Sequence, residues 1–500
     1  MGRLRNYLST RVNDARANFA ARPRNERVTL ICLAVLFVAG GLLRLGLMYA
    51  VRPALLGYAD THVYLGAAAG LDEGHWFASK HQPNGYPMFV HLVHVVAAKL
   101  PLLVLVQHFL GLVSGLLLYA TVRRAGGPPW LGLLPAGVVF LAGFQIFVEH
   151  APLSEALFVF LVAVALYASV RAMDRPGPWW PSLVGLAIGI APTVRTAGLT
   201  LVPLLLLWFV FEPGQRWRAR ALRAGACAFP VAIVLGAYII GQHAETGYTG
   251  LTRTGIWNLY GRVAPFADCD EFTPPEGTEV LCEETAQDER PGPSAYVYDI
   301  NRSPGLREFA GVSAPTEEGG DEVGAFARAA IVGQPFEYMK ELGNDMLRYV
   351  VGHSKVASGG LNSEMFSTEL VFGAAPPPDW GRPAQPTNYA PYYPNPGLLQ
   401  RMGLVEAYRD WERATRIEGL LFLVAFVLMV VAPFLAPTDR MRRVALLLAL
   451  VTVVLMVTPV ATLFYNARFA IPVFGPLLAG AALGAWSVAS RFRQASSSPA

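Results

Sequence analysis

Apolar runs of about twenty residues recur along the whole 500-residue sequence, and this recurrence limits the fold more than any motif does. A run of that length is what a helix needs to cross a hydrocarbon core roughly 30 Å thick. Inside a bilayer the backbone must satisfy its own hydrogen bonds, so such runs become helices. The sequence predicts about ten spans: Val28–Ala50, Leu102–Val122, Leu131–Phe147, Leu153–Val170, Trp180–Val194, Leu199–Phe211, Ala221–Ile240, Gly419–Ala436, Val444–Phe464 and Phe469–Ser490. Only 15% of residues are charged and the mean hydropathy is +0.38. Soluble domains carry about a quarter charged residues, so little of this chain is built for water. The expected fold class is an all-α polytopic membrane protein.

Arginine sets the expected orientation, because cytoplasmic loops hold the excess of Lys and Arg. Arg22, Arg24 and Arg27 precede the first run, Arg123 and Arg124 follow the second, and Arg171 and Arg175 follow the fourth. Arg216, Arg218, Arg220 and Arg223 separate the sixth and seventh, Arg440, Arg442 and Arg443 follow the eighth, and Arg491 and Arg493 follow the tenth. All fall on one side. The expectation is a multi-pass protein of the plasma (inner) membrane with both termini cytoplasmic. A cytoplasmic segment covers 1–27, an N-terminal transmembrane module 28–240, an extracytoplasmic loop domain between spans 7 and 8 covers 241–416, C-terminal helices 417–490 and a tail 491–500. The first 27 residues are polar and Arg-rich, without the apolar core of a signal peptide. The net charge of +4 sits at helix ends rather than in a stripe, so the bilayer is the expected partner and nucleic acid is not.

The first outward loop, 51–100, opens with "YADTHVYLGAAAGL" and continues through "HQPNGYPMFVHLVHVVAAKL", whose later part suits an amphipathic interfacial helix. In the long loop, "DEVGAFARAAIVGQPFEYMKELGNDMLRYV" has helical spacing interrupted at Pro335. Cys269 and Cys282 fall in the same loop and predict a disulfide in an oxidising compartment, whereas Cys32 and Cys227 lie inside spans as small apolar fillers. No charge is expected deep within a span, and no internal repeat is seen.

Ionisable residues gather at the expected outer edge: Asp60 after the first span, Glu149 and His150 ending the third, Glu155 opening the fourth, Arg195 between the fifth and sixth, and Arg468 opening the tenth. Charges at a membrane edge are costly and usually face a cavity or a partner. Each one alone reads equally well as a solvated helix end. Together, both signs on one face suit binding a phosphate through arginine and activating a hydroxyl through a carboxylate.

The order of these features resembles the GT-C superfamily of membrane glycosyltransferases, in the branch of the protein O-mannosyltransferases and aminoarabinose transferases. The resemblance rests on the first-loop acid Asp60, the "QPNGYPMF" element at 82–89, the "LSEALFVFLVAVALY" start of a later span with Glu155, and Arg468, Phe469 and Pro472 at the last span. It covers roughly 30–200 and 419–478. It implies a sugar donor carried on polyprenyl phosphate, an acceptor hydroxyl on protein, glycan or glycolipid, and direct displacement with inversion at the outer face.

In that reading Asp60 is the general base, and Arg195 and Arg468 bind the departing lipid phosphate. Glu149, His150, Glu155 and His62 are candidates for acceptor contact or for a divalent metal (Mg²⁺, Mn²⁺ or Ca²⁺), since hard carboxylate oxygens favour such ions. Tyr58, Tyr64, Trp76 and Tyr86 are candidate substrate contacts, although any aromatic belt places such residues here. His91 and His94 share a helix face but lack the glutamate of a zinc motif, and read as interfacial. Gly85 is expected to supply unusual backbone angles to the turn. Two other functions compete: a non-catalytic membrane scaffold or assembly protein, and a transporter, which would show related halves and a mid-membrane site.

Overall fold

A computed structural model describes residues 17, 19–56, 59–79, 81–317, 319–351, 392–393 and 399–497. Tyr58 and most of the Pro-rich stretch before Leu399 lie outside the described residues. The rest is helical, with one two-stranded pairing in which β1 (Val51–Arg52) runs antiparallel to β2 (Leu399–Gln400).

Six helices are long and apolar enough to cross a membrane, and up to eight spans result if each of two bent pairs counts as one. The long ones include α1 (Arg24–Ala50), α4 (Leu100–Arg123), α7 (Glu155–Asp174), α10 (Trp217–Thr246) and α17 (Asp439–Thr462). The sixth runs from the turn Ala467–Ala470 into α18 (Ile471–Ser497). One bent pair joins Pro129–Leu141, which holds α5 (Leu133–Leu141), to α6 (Gly143–His150) at 48°. The other joins α15 (Met402–Ala414) to α16 (Gly419–Leu435) at 48°. Where the fifth and sixth spans are predicted, the chain forms α8 (Trp179–Val194) and α9 (Leu201–Val210), of 16 and 10 residues. At 1.5 Å per residue these reach only about 24 and 15 Å. The count of ten is therefore not confirmed, while the break itself falls where the sequence divides the run: the extended backbone of Arg195 ends α8 and a 3₁₀ turn follows.

The first loop carries two short helices, α2 (Ala59–Gly70) and α3 (Gly85–Val96). The turn before α3 is held by Asn84, whose side chain accepts from the Ser79 N–H (2.8 Å) and donates to the Ser79 carbonyl (3.0 Å). Gly85 has an ordinary backbone there. Its absent side chain matters for another reason: a Cβ would press on Thr193, reaching its carbonyl oxygen at 2.6 Å. Close approach, not a special dihedral, requires glycine. Small residues also let α18 lie against α16, where Gly480 and Gly484 face Met429 and Leu428.

Between α10 and α16 lies a small helical unit: α11 (Thr254–Val263), α12 (Pro293–Tyr298), α13 (Gly320–Gly333) and α14 (Pro335–Val351). The break between the last two falls at Pro335. The unit has its own core, in which Trp257, Tyr260, Tyr296 and Phe326 are fully buried. Cys269 and Cys282 are joined by a disulfide, with Cα atoms 5.9 Å apart. Closing a loop of about 14 residues stabilises by about 3 kcal/mol in the chain-entropy picture. Replacing both cysteines with serine is expected to lower the melting temperature of the purified protein, and an unchanged melt would show that the core holds the loop unaided.

Candidate functional site

Asp60 sits in the first turn of α2, where the amide dipoles favour an acid. Arg468 sits in the 3₁₀ turn Ala467–Ala470, whose first N–H is capped by Asn466: the Asn466 side chain accepts from the Arg468 N–H at 3.0 Å. The two side chains meet, with Nη1 of Arg468 2.6 Å from Oδ2 of Asp60. Glu155, at the start of α7 and fully buried, joins them from below: its Oε1 is 3.7 Å from Arg468 Nε and 2.6 Å from Arg195 Nη1. Arg195 also donates to Ser154 Oγ at 3.0 Å and lies over the Phe469 ring at 5.6 Å. Tyr64 shares the Ser154 hydroxyl at 3.2 Å.

Two carboxylates and two guanidiniums thus alternate, and their formal charges cancel. Burial alone would raise the Asp60 pKa, but Arg468, helped by Arg195 and His62, holds it below the ordinary 3.8. Asp60 is therefore ionised over the whole neutral range. Burial also raises the Tyr64 hydroxyl above the usual tyrosine value, with Asp60 adding to the effect. From the small helical unit, Tyr298, 43% exposed, comes near enough for the charges of Asp60 and Arg468 to act on it. The sequence reading missed Tyr298, since nothing in "SAYVYD" marks one aromatic in a loop as special.

Of the remaining predicted residues, His62 is half-buried and close enough for its charge to act on Asp60. Trp76 is 49% exposed, and its backbone N–H donates to Glu245. Tyr86 is fully buried, and its hydroxyl donates to Gln107.

Glu149 and His150, named with Glu155 and His62 as acceptor or metal candidates, make their hydrogen bonds with residues other than Asp60 and Arg468. Both are fully buried and engaged elsewhere. Glu149 takes a bidentate pair from Arg44, with Nε to Oε2 at 2.7 Å and Nη2 to Oε1 at 2.9 Å. His108 contacts the same carboxylate at 3.0 Å and His150 at 3.1 Å. Arg44 sits inside α1, six residues from its end, and is 2% exposed. An arginine in an apolar run is itself a signal that a partner exists.

Asp60 and Glu155 face two arginines, and among the described residues no three His, Cys, Asp or Glu side chains gather to hold an ion. What the arrangement can do is hold an anion between Arg468 and Arg195 with a carboxylate beside it.

Residues 82–239 match the family model of dolichyl-phosphate-mannose-protein mannosyltransferases. No curated protein sequence matches significantly. Among solved structures, the protein O-mannosyltransferase Pmt1–Pmt2 complex of S. cerevisiae, bound to the sugar donor, is similar over 49% of this chain and 38% of its own, at 18% identity and a TM-score of 0.37. The apo oligosaccharyltransferase of Archaeoglobus fulgidus is similar over 94% of this chain and 52% of its own, at 12% identity and a TM-score of 0.49. ArnT from Cupriavidus metallidurans, bound to undecaprenyl phosphate, is similar over 93% of this chain and 79% of its own, at 12% identity and a TM-score of 0.35. The chain thus spans about half or less of the length of the first two.

Proposed function

We propose that this chain is a membrane glycosyltransferase of the GT-C superfamily, in the protein O-mannosyltransferase branch whose family model residues 82–239 match, and that it moves a sugar from a polyprenyl-phosphate donor to an acceptor hydroxyl by direct displacement. The observation that carries the reading is the Asp60–Arg468 contact beside Glu155 and Arg195. It puts a candidate base and candidate phosphate ligands within one side chain's reach.

In the proposed reaction the donor phosphate docks on Arg468 and Arg195. Arg468 then exchanges Asp60 for phosphate oxygen, and the freed Asp60 carboxylate accepts the acceptor's hydroxyl proton. The acceptor oxygen bonds to the anomeric carbon from the face opposite the phosphate. The bond from that carbon to the phosphate oxygen breaks, its electron pair going to the phosphate, whose added charge the arginines stabilise without a proton. The anomeric centre inverts. Tyr64 and Tyr298 flank this space and are the proposed contacts for sugar or acceptor. Catalysis at the outer face follows from the arginine pattern of the loops.

The test is transfer by the purified protein in nanodiscs, offered polyprenyl-phosphate mannose, arabinofuranose and aminoarabinose with protein, glycan and glycolipid acceptors. Acceptor-dependent release of polyprenyl phosphate is expected from one donor. A folded protein that releases none from any combination would sink the reading and favour a scaffold.

The same ion pair predicts a split in pH dependence. In the free protein Arg468 lowers the Asp60 pKa, so the base takes up its proton at a lower pH than an ordinary carboxylate does. Bound phosphate offsets the Arg468 charge and lets that pKa rise. The acid limb of kcat/KM for donor, which reports the free enzyme, is expected at lower pH than the acid limb of kcat. Coincident limbs, or the reverse order, would contradict the exchange.

A further inference from the structure

One buried group of charges takes no part in the reaction just described. Arg44 spends its remaining N–H groups on the carbonyls of Val139 (3.0 Å), Phe140 (2.7 Å) and Gly40 (3.1 Å). The first two are left without helical partners where α5 ends before α6, so the guanidinium caps that break. From Arg44 a line of contacts passes through Glu149 and His108 to His150, whose Nε2 lies 3.0 Å from the Val51 carbonyl.

Hydrogen-bond direction fixes how this line is read. A carbonyl only accepts, so His150 Nε2 carries a proton and donates to Val51. With His150 neutral, its Nδ1 accepts from His108 Nε2, and the last proton lies between His108 Nδ1 and Glu149. The line runs from the break in the third predicted span to the strap 51–56. That strap leads into α2 and Asp60. On its other side it has a two-residue pairing with Leu399–Gln400. On its inner side the His150 contacts hold it: the ring to Val51, and the Leu55 N–H to the His150 carbonyl at 3.1 Å.

The opposite flank of the same corner carries the other acid. Gln107 donates to the Glu149 and Ala151 carbonyls at 2.8 and 2.7 Å, fixing the turn that continues into Ser154 and Glu155. One buried polar network therefore anchors both segments that deliver acids to the site.

We propose that Arg44, Glu149, His108 and His150 are positioning residues, which set the strap 51–56 against the 149–155 corner and thereby hold Asp60 at its working distance from Arg468 and Glu155. None touches the site itself. The proposal rests on Asp60 being the base, and its test is arranged so that the two can fail separately.

Three variants in nanodiscs make the test. His150→Phe keeps a ring but loses the donor to Val51. His150→Gln keeps an N–H donor. Arg44→Met/Glu149→Leu replaces the buried pair with apolar side chains, a change that often preserves folding when loss of one partner does not. Amide hydrogen exchange of residues 51–56 is read alongside kcat and binding of polyprenyl phosphate. The expected result is faster exchange in the strap and a kcat at least about tenfold lower for His150→Phe and for the double variant, a drop of 1.4 kcal/mol in transition-state stabilisation. Polyprenyl phosphate binding should be unchanged, and His150→Gln should recover part of both losses.

Unchanged strap exchange in a folded double variant overturns the anchoring, whatever the activity. A loosened strap with wild-type kcat overturns the link to Asp60. Parallel loss of kcat and lipid phosphate binding, without rescue by glutamine, shows general damage and overturns it too. If wild-type protein transfers no sugar, the catalytic reading fails, and the exchange measurement alone still decides whether the network anchors the strap.

Discussion

Asp60→Asn is expected to lower kcat for sugar transfer by about 10²–10⁴-fold, the usual contribution of a positioned general base. The amide has nearly the shape of the acid and cannot take the proton. The same change removes the charge that pairs with Arg468 at 2.6 Å; among the described residues Glu155, at 3.7 Å, is the carboxylate left beside it. Polyprenyl phosphate should therefore bind the variant as tightly as wild type or more so. That opposed pair of effects, turnover down and lipid phosphate affinity held or raised, separates loss of a base from loss of fold. Steady-state kinetics and equilibrium lipid binding on the same preparation would check it. A folded variant with wild-type kcat would remove Asp60 from the mechanism.

A second large effect is expected far from the reacting atoms. Asp345 in α14 pairs with Arg262 at 2.7 Å, and both side chains are almost fully buried. It also pairs with Arg348 at 3.0 Å and accepts the Tyr465 N–H at 3.1 Å. Asp345→Leu strands the Arg262 charge in the interior, which typically costs about 3–5 kcal/mol. It also frees Tyr465, three residues before Arg468. Thermal unfolding should show a marked drop in stability, and Arg262→Leu/Asp345→Leu should regain most of it. A single variant as stable as wild type would mean that the pair is relaxed by water. If the double variant regains stability but not turnover, the Tyr465 contact is what turnover needs.

How far the sequence reaches can be judged residue by residue. The helical membrane class follows from run length, because the bilayer leaves the backbone few other options. Asp60 and Arg468 stand out as charges flanking apolar runs in a recognisable order. Their mutual contact is not legible, since it joins positions at opposite ends of the chain. Glu149 illustrates the same limit. Its place at a helix end looks identical to that of Glu155, and only the three-dimensional position of Arg44 assigns the two acids to different tasks. The division around Arg195 is legible too, since the apolar run is already split there in the sequence; it is the lengths of the two helices, 16 and 10 residues, that fall short of a span. Gly85 was singled out for its backbone freedom, but the neighbour that demands it, Thr193, is more than a hundred residues away.

The hydroxyls of Tyr338 and Tyr349 reach out of α14 to the carbonyls of Ala461 and Met456 on α17, at 2.8 and 3.2 Å. Ala461 lies in the last turn of that helix, where carbonyls have no partner within the helix. The inserted unit therefore finishes a membrane helix that the helix's own residues leave incomplete. It cannot be treated as cargo on an independent scaffold. A chain from which residues 254–351 were excised and the ends rejoined would lose that cap, the Tyr349 contact and the Asp345 bond to the Tyr465 N–H together. Chimeras that exchange this unit between related chains would need its tyrosines and the end of α17 to travel as one piece.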